Sequence, residues 1–224
     1  MCLAQPAAAC RLALLLALDV SSSVDETEDA LQRGGLARAL LTPDVQAAMF
    51  VSPDPVALAA FEWSGRYNQA ELLPWVLIRN EADLAAAANR IANTNRGHND
   101  FPTALGYALG YASTLFRDAP ECLFKTIDVS GDGENNDGFG PAEAYAAFAF
   151  DDITVNGLAI DTSGIGAAAP LVQYYQSAVI HGPGAFVEVA DGFADYARAM
   201  TRKLVRELSA QIIGQATRHP DTQG

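Results

Sequence analysis

Asp19, Ser21 and Ser23 stand in the run Leu-Asp-Val-Ser-Ser-Ser, directly after an apolar stretch (residues 12–18) that stops at the aspartate. One carboxylate and two hydroxyls at alternate positions make a set of hard oxygen donors. Without imidazole or thiolate, such a set suits magnesium, calcium or manganese rather than zinc. The same D-x-S-x-S pattern equally suits the cap of a following helix, whose first N–H groups need an acceptor. It becomes informative only if other parts of the chain bring further ligands, and two do. Thr103 follows a loop of turn residues, Arg96-Gly97-His98-Asn99-Asp100, and is expected to open a helix. Asp132 lies between Gly131 and Gly133, just past the strand expected at 123–129. Glycine there lets the backbone turn sharply. Each signal is weak alone; their joint order is strong.

For these oxygens to meet, the preceding elements must end at one edge of a sheet. Residues 12–18, LALLLAL, are apolar at every position, as in a strand buried on both faces of a parallel sheet. Residues 25–41 carry Ala30, Leu31, Ala37, Leu40 and Leu41 on one helical face that ends before Pro43. Strands are expected at 56–63 and 72–78, joined by the hairpin link 64–69, and at 123–129, 153–160 and 185–189. Helices are expected at 81–92, 103–116, 141–150 and 191–213. This alternation predicts a three-layer α/β sandwich with a mainly parallel sheet. Open sheets of that kind bind ligands at their carboxyl edge. Gly106 and Gly110 have G-x-x-x-G spacing, which here predicts close packing of a helix on the sheet rather than membrane dimerisation. Arg198, Arg202, Lys203 and Arg206 read as a solvated face of the closing helix.

Composition narrows the function classes. A chain of 224 residues, half of them hydrophobic and 18% charged, can bury one large core. Its formal net charge of −13 repels phosphate backbones and anionic membrane surfaces, which argues against nucleic acid as a partner. No stretch reaches the roughly 18 apolar residues needed to span a bilayer. Residues 1–10, MCLAQPAAAC, look like the remnant of a secretory signal, with Ala7-Ala8-Ala9 fitting a small-residue cleavage site. The expected domain is 11–213, followed by a polar tail at 214–224.

Taken in order, these residues resemble a von Willebrand factor A domain with its metal-ion-dependent adhesion site, over residues 12–208. The stretches LDVSSSV (18–24), FEWSG (61–65), IDVSGDGENN (127–136) and GPGAF (182–186) carry a closer similarity to bacterial secreted proteins of unknown function. The resemblance implies a three-layer α/β/α, Rossmann-like sandwich whose mainly parallel sheet has one antiparallel edge strand. It implies that Ser21, Ser23 and Thr103 bring hydroxyls to magnesium (or manganese or calcium), with Asp19 and Asp132 binding directly or through water. Two carboxylates balance a divalent charge and leave the ion open to a Glu or Asp from a protein partner. One departure concerns Thr103. Such domains usually have glycine before the threonine, whereas here Phe101-Pro102 precede it, a stiffening that could shift the hydroxyl. Asp128 and Ser130 are rivals of Asp132, although Asp128 is expected inside its strand as a buried, hydrogen-bonded carboxylate. Glu134, Asn135, Asn136 and Asp137 either extend an acidic rim or form an ordinary polar loop.

The cysteines are Cys2, Cys10 and Cys122. In the family's sheet order the strands carrying Cys10 and Cys122 are parallel neighbours, so their thiols would meet at the edge opposite the metal. They are then either a disulfide or two buried free thiols. A disulfide is consistent with export to the periplasm or beyond. Cys2 falls to the signal remnant, and lipid attachment at Cys10 would compete with the bridge.

Other function classes fit less well. A magnesium-dependent phosphotransferase of the haloacid dehalogenase type needs a second acid two residues after its first-strand aspartate, and position 21 is serine. Its late acidic pair is mimicked by Asp151-Asp152, which precedes a strand and belongs to the wrong edge. No G-x-S-x-G elbow is present to pair with His98, His181 or His219. His98 is expected at the rim near Thr103, and His181 in a turn. The reading is a non-enzymatic, metal-dependent binding or adhesion domain, with a metal-free structural module as the third alternative. Nothing in the sequence speaks to oligomeric state.

Overall fold

Apolar side chains fill all but the ends of β1 (Cys10–Asp19), and both its faces are buried. The computed structural model describes residues 10–98, 100–164 and 169–216, the side chains of residues 169 and 210–216 excepted. Five further strands flank β1: β2 (Val56–Trp63), β3 (Gln69–Ile78), β4 (Cys122–Gly131), β5 (Ile153–Asp161) and β6 (Val187–Asp191). Their order is β3-β2-β1-β4-β5-β6, parallel throughout except for β3, which pairs antiparallel with β2. The antiparallel strand is thus an edge strand, joined to β2 by the short link the sequence signals.

Alternation along β1 divides the core in two. Leu12, Leu14, Leu16 and Leu18 pack beneath α1 (Glu26–Leu40), α3 (Glu81–Ala92) and the long α7 (Gly192–Ala216), against Leu36, Leu84, Met200 and Leu204. Ala13, Leu15 and Ala17 face α4 (Leu105–Leu115), α5 (Pro141–Ala147) and a π-turn, Tyr175–Val179, that continues α6 (Ala169–Tyr174). A further helix, α2 (Pro43–Met49), follows α1; Pro43, expected only to end a helix, opens one, with Thr42 as its cap. The segment 169–179 has no period that announces it.

Register fixes where the chemistry gathers. Asp19 lies opposite Trp63, and Leu18 opposite Ser130, so β1 and β4 end level at the carboxyl edge. At the other end Cys10 is the register partner of Cys122, and the two form a disulfide with Cα atoms 4.5 Å apart. That bridge occupies the Cys10 sulfur. Cys2 and His219 lie outside the described residues. Among the described residues no helix is long and apolar enough to cross a membrane.

Two expectations are corrected. The helix expected to open at Thr103 begins at Leu105, so Thr103 stays in the preceding loop. Gly106 and Gly110 do allow close packing, but not on the sheet. A Cβ on Gly106 would lie 2.2 Å from the carbonyl oxygen of Phe139, and one on Gly110 would lie 2.8 Å from the Phe148 ring. Backbone cannot yield as a side chain can, so Gly106→Ala is expected to destabilise the fold by about 1–3 kcal/mol, the usual cost of overpacking. Chemical denaturation of the variant checks this.

Candidate metal centre

The carboxyl end of β1 runs into the loop that carries Ser21 and Ser23, and three clamps hold that loop. Asp19 Oδ1 accepts the N–H of Ser21 at 2.8 Å. Gln32 on α1 donates to the Asp19 carbonyl at 2.8 Å. Arg96 reaches across to donate to the carbonyls of Val20, Ser21 and Val24, at 2.6, 2.8 and 2.6 Å. The helix-capping alternative is settled separately: α1 is capped by Asp25, which forms a reciprocal box with Glu28. Asp19 and the two serines are therefore not needed as caps.

The side chains meet in a line. Thr103 Oγ1 donates to Ser21 Oγ at 3.2 Å, Ser21 Oγ lies 3.2 Å from Ser23 Oγ, and Ser23 Oγ donates to Asp132 Oδ1 at 2.8 Å. Oxygens from three loops, 82 and 109 residues apart in sequence, are thus within hydrogen-bond reach of one another. Asp19 lies behind them, fully buried, and its Oδ2 has no hydrogen-bond partner among the described residues. Glycines leave the space open: a Cβ at Gly131 would stand 2.8 Å from Asp19 Oδ2, and one at Gly133 would touch Thr103 Oγ1.

Electrostatics mark the place as short of positive charge. Burial, and then the charge of Asp132, push the Asp19 carboxyl up to about 7, against the pull of Ser21 and Arg96. Burial also raises Asp132. Among the described residues no group of three His, Cys, Asp or Glu is set to hold a metal ion. Here the donors are two carboxylates and three hydroxyls, a hard-oxygen set that a divalent cation fits and that suits magnesium, manganese or calcium. The unpartnered Asp19 oxygen is the observation that favours such an ion.

Thr103, behind Pro102, is held by Asn136. The amide side chain of Asn136 accepts the Thr103 N–H at 2.9 Å, and the Asn136 N–H returns to the Thr103 carbonyl at 2.9 Å. Asn135 accepts from the N–H of Gly106 at 3.2 Å and so caps α4 from outside its own sequence. Asp137 is held by Arg66. Residues 135–137 are therefore a brace for the threonine loop, a role beyond either expectation. The rivals of Asp132 point elsewhere. Ser130 Oγ turns to Gln32 and the Ala17 carbonyl, and Asp128 pairs with Lys203 at 2.7 Å. His98 packs edge-on to Phe101 beside the loop and, with Glu26, Asp29, Arg96 and Gly97, lines a cavity of about 280 Å³.

Sequence reasoning passes over two residues here. Arg96 looks like one more turn residue, although a lone cation in an acidic chain is a signal of sorts. Tyr175 has none. Its hydroxyl is buried without a hydrogen-bond partner among the described residues, 2.7 Å from the Cβ position of Gly131 that also faces Asp19 Oδ2. Burial and then the charges of Asp19 and Asp132 push its pKa well above the ordinary value.

The fold matches solved structures of one kind. Proximal thread matrix protein 1 from the mussel byssus, with a zinc-occupied MIDAS motif, aligns with a TM-score of 0.62 and 17% identity over 91% of this chain and 49% of that one. A von Willebrand factor type A structure from Catenulispora acidiphila gives 0.60 and 15%, over 91% and 43%. The pilus adhesin SpaC from Lactobacillus rhamnosus GG gives 0.59 and 13%, over 91% and 31%. The chain spans half or less of each of these proteins. No curated protein matches it. Over residues 9–212 the sequence matches the family described as "Protein of unknown function (DUF1194)". The chain belongs to that family, and its fold is that of a von Willebrand factor A domain.

Proposed function

We propose that this protein is a non-catalytic binding domain that recognises an acidic group on a protein partner through a divalent cation held by Asp19, Ser21, Ser23, Thr103 and Asp132. The line of oxygens from Thr103 through Ser21 and Ser23 to Asp132, with Asp19 unpartnered behind it, carries this reading. A magnesium ion (or manganese or calcium) would supply a Lewis-acidic point with room for one more anionic ligand. The chain's own part is to hold the hydroxyls close, keep two carboxylates near each other despite their repulsion, and fix the loop through Arg96. The zinc-occupied MIDAS motif of the mussel protein and the adhesin title of SpaC support the reading by analogy of fold. The disulfide supports an exported setting, periplasmic or secreted.

Two observations weigh against the enzyme alternatives. Asp151 and Asp152 precede β5 at the edge away from Asp19, and Asp152 is paired with Lys125. His98 and His181 are engaged with aromatic rings, His181 stacked on Tyr145 at 4.5 Å between centroids.

Magnesium or manganese at a hundredfold excess over its dissociation constant is expected to stabilise the fold by about 2.7 kcal/mol, read as a rise in Tm. Asp19→Ala should abolish that rise. The pH dependence has a definite sign. In the unfolded chain Asp19 loses its proton near its ordinary value of 3.8, whereas in the metal-free fold it keeps it up to about 7. Metal-free stability therefore falls as pH rises across that window, and a cation must displace a proton below it. The cation-induced rise in Tm should be larger at pH 8 than at pH 5. Absence of any rise at pH 8 would favour the metal-free structural module instead.

A further inference from the structure

The faces of β4 and β5 that turn toward α7 are polar where the neighbouring core is not. Thr126 and Asp128 alternate along β4, in register with Thr154 and Asn156 of β5. Lys203 and Glu207 of α7 come down on this floor, so Lys203 is no part of a solvated face. Its Nζ lies 2.7 Å from Asp128 Oδ1 and 2.7 Å from Glu207 Oε1, and Asn156 donates to the same glutamate oxygen at 2.7 Å. One cation thus faces two carboxylates, with Lys203 0%, Asp128 1% and Glu207 2% exposed. With Glu207 ionised, the cluster carries one negative charge in excess.

Besides Asp128 Oδ2, two acceptors of the cluster are left over. Glu207 Oε2 and Thr126 Oγ1 are buried without a hydrogen-bond partner among the described residues. Both residues line one cavity of about 570 Å³ between the amino ends of β4 and β5 and the loop carrying Pro183, Gly184 and Phe186. Leu123, Ile153 and Phe186 give it apolar walls, and it reaches solvent past Leu123 and Asp152, both exposed. Among the described residues that line it Lys125 is the one cation, held by Asp152 at 2.6 Å, while Asp151, Asp152 and Glu207 are carboxylates. The cavity lies at the edge of the sheet opposite Asp19.

We propose that this cavity is a second ligand site, which takes a small organic cation: a primary ammonium group on an aliphatic chain. The ammonium N–H groups find acceptors in Glu207 Oε2 and Thr126 Oγ1, and its charge balances the excess carboxylate. The aliphatic chain lies against the apolar walls toward the mouth. A metal ion suits the pocket less, because one free carboxylate oxygen and one hydroxyl fall far short of a six-oxygen shell. Burial and the charge of Asp128 hold the Glu207 carboxyl up to about 7, as fits a group awaiting a cation.

Isothermal titration of the full chain with n-pentylammonium, and with 1-pentanol as its neutral match, tests the proposal. Saturable binding of the amine is expected, with the alcohol at least about tenfold weaker, because a charge-assisted hydrogen bond is lost. Thr126→Val and Glu207→Gln should each weaken the amine by about tenfold or more, whereas Asp19→Ala should leave it unchanged, which separates this site from the metal centre. If Glu207→Gln does not fold, the nearly isosteric Thr126→Val decides. Equal binding of the alcohol, no saturable binding of the amine at millimolar concentration, or wild-type binding by Thr126→Val overturns the assignment.

Discussion

Reduction of the Cys10–Cys122 bridge, or its replacement by two alanines, is expected to lower the unfolding free energy by about 4–5 kcal/mol. The bridge closes a loop of 112 residues that contains α1 to α4 and the three strands β1 to β3, so the unfolded chain gains much freedom when it opens. Loop-closure entropy for that length accounts for the figure. The cysteines sit opposite each other at the start of β1 and β4, neighbouring strands near the middle of the sheet. Alanine is small and apolar, and the packing lost with the sulfurs is minor by comparison. Against a typical total of about 5–15 kcal/mol, this is a large share of the stability. Denaturant melts with and without reductant measure it. A shift smaller than about 1 kcal/mol would contradict the entropic account.

Lys203→Met should be nearly as damaging, at about 3–5 kcal/mol, the usual cost of breaking a buried ion pair by removing one partner. Methionine fills the space of the lysine stem but leaves Asp128 and Glu207 facing each other with no cation. Glu207 already holds its proton up to about 7 because burial and Asp128 outweigh Lys203. Without the lysine Glu207 resists ionisation further, because the cation that pulls its pKa down is gone. Its carboxyl keeps its proton in the fold across a range where the unfolded chain, at its ordinary carboxyl value, has already ionised. The loss should therefore be smaller at pH 5 than at pH 8. Adding Asp128→Asn and Glu207→Gln to Lys203→Met should recover much of it, because no unpaired buried charge remains. Denaturation at both pH values checks the sign, and a pH-independent loss would show that the ammonium matters only for packing.

What the sequence made legible follows from what each signal depends on. The strands of the sheet centre stand out because a run such as LALLLAL is apolar at every position, and only burial on both faces calls for that. The oxygen set was nameable because Asp19, Ser21 and Ser23 lie just beyond such a run, Asp132 lies just beyond a second expected strand, and Thr103 follows a loop of turn residues. The partners that hold it were not. Arg96 binds three carbonyls of a loop more than 70 residues away, a contact that leaves no periodic trace. Asn136 clamps Thr103 through backbone groups, which any sequence possesses. Tyr175 stands at the start of a π-turn in a segment with no helical face to detect. Lys203 misled for the opposite reason: a cation spaced among arginines on a helix reads as solvated, and the carboxylates of Asp128 and Glu207 make its burial tolerable. Arg11, at the start of β1, is likewise buried, donating to the carbonyls of Ala48, Met49 and Leu208.

Diffraction from crystals grown with manganese, recorded at its absorption edge, addresses the metal centre without any assumption about the partner. One anomalous peak is predicted among the hydroxyls of Ser21, Ser23 and Thr103, with the carboxylates of Asp19 and Asp132 reaching it directly or through a water. A peak seated elsewhere, or none at a manganese concentration that fully shifts Tm, contradicts the assignment of the cation to these five residues.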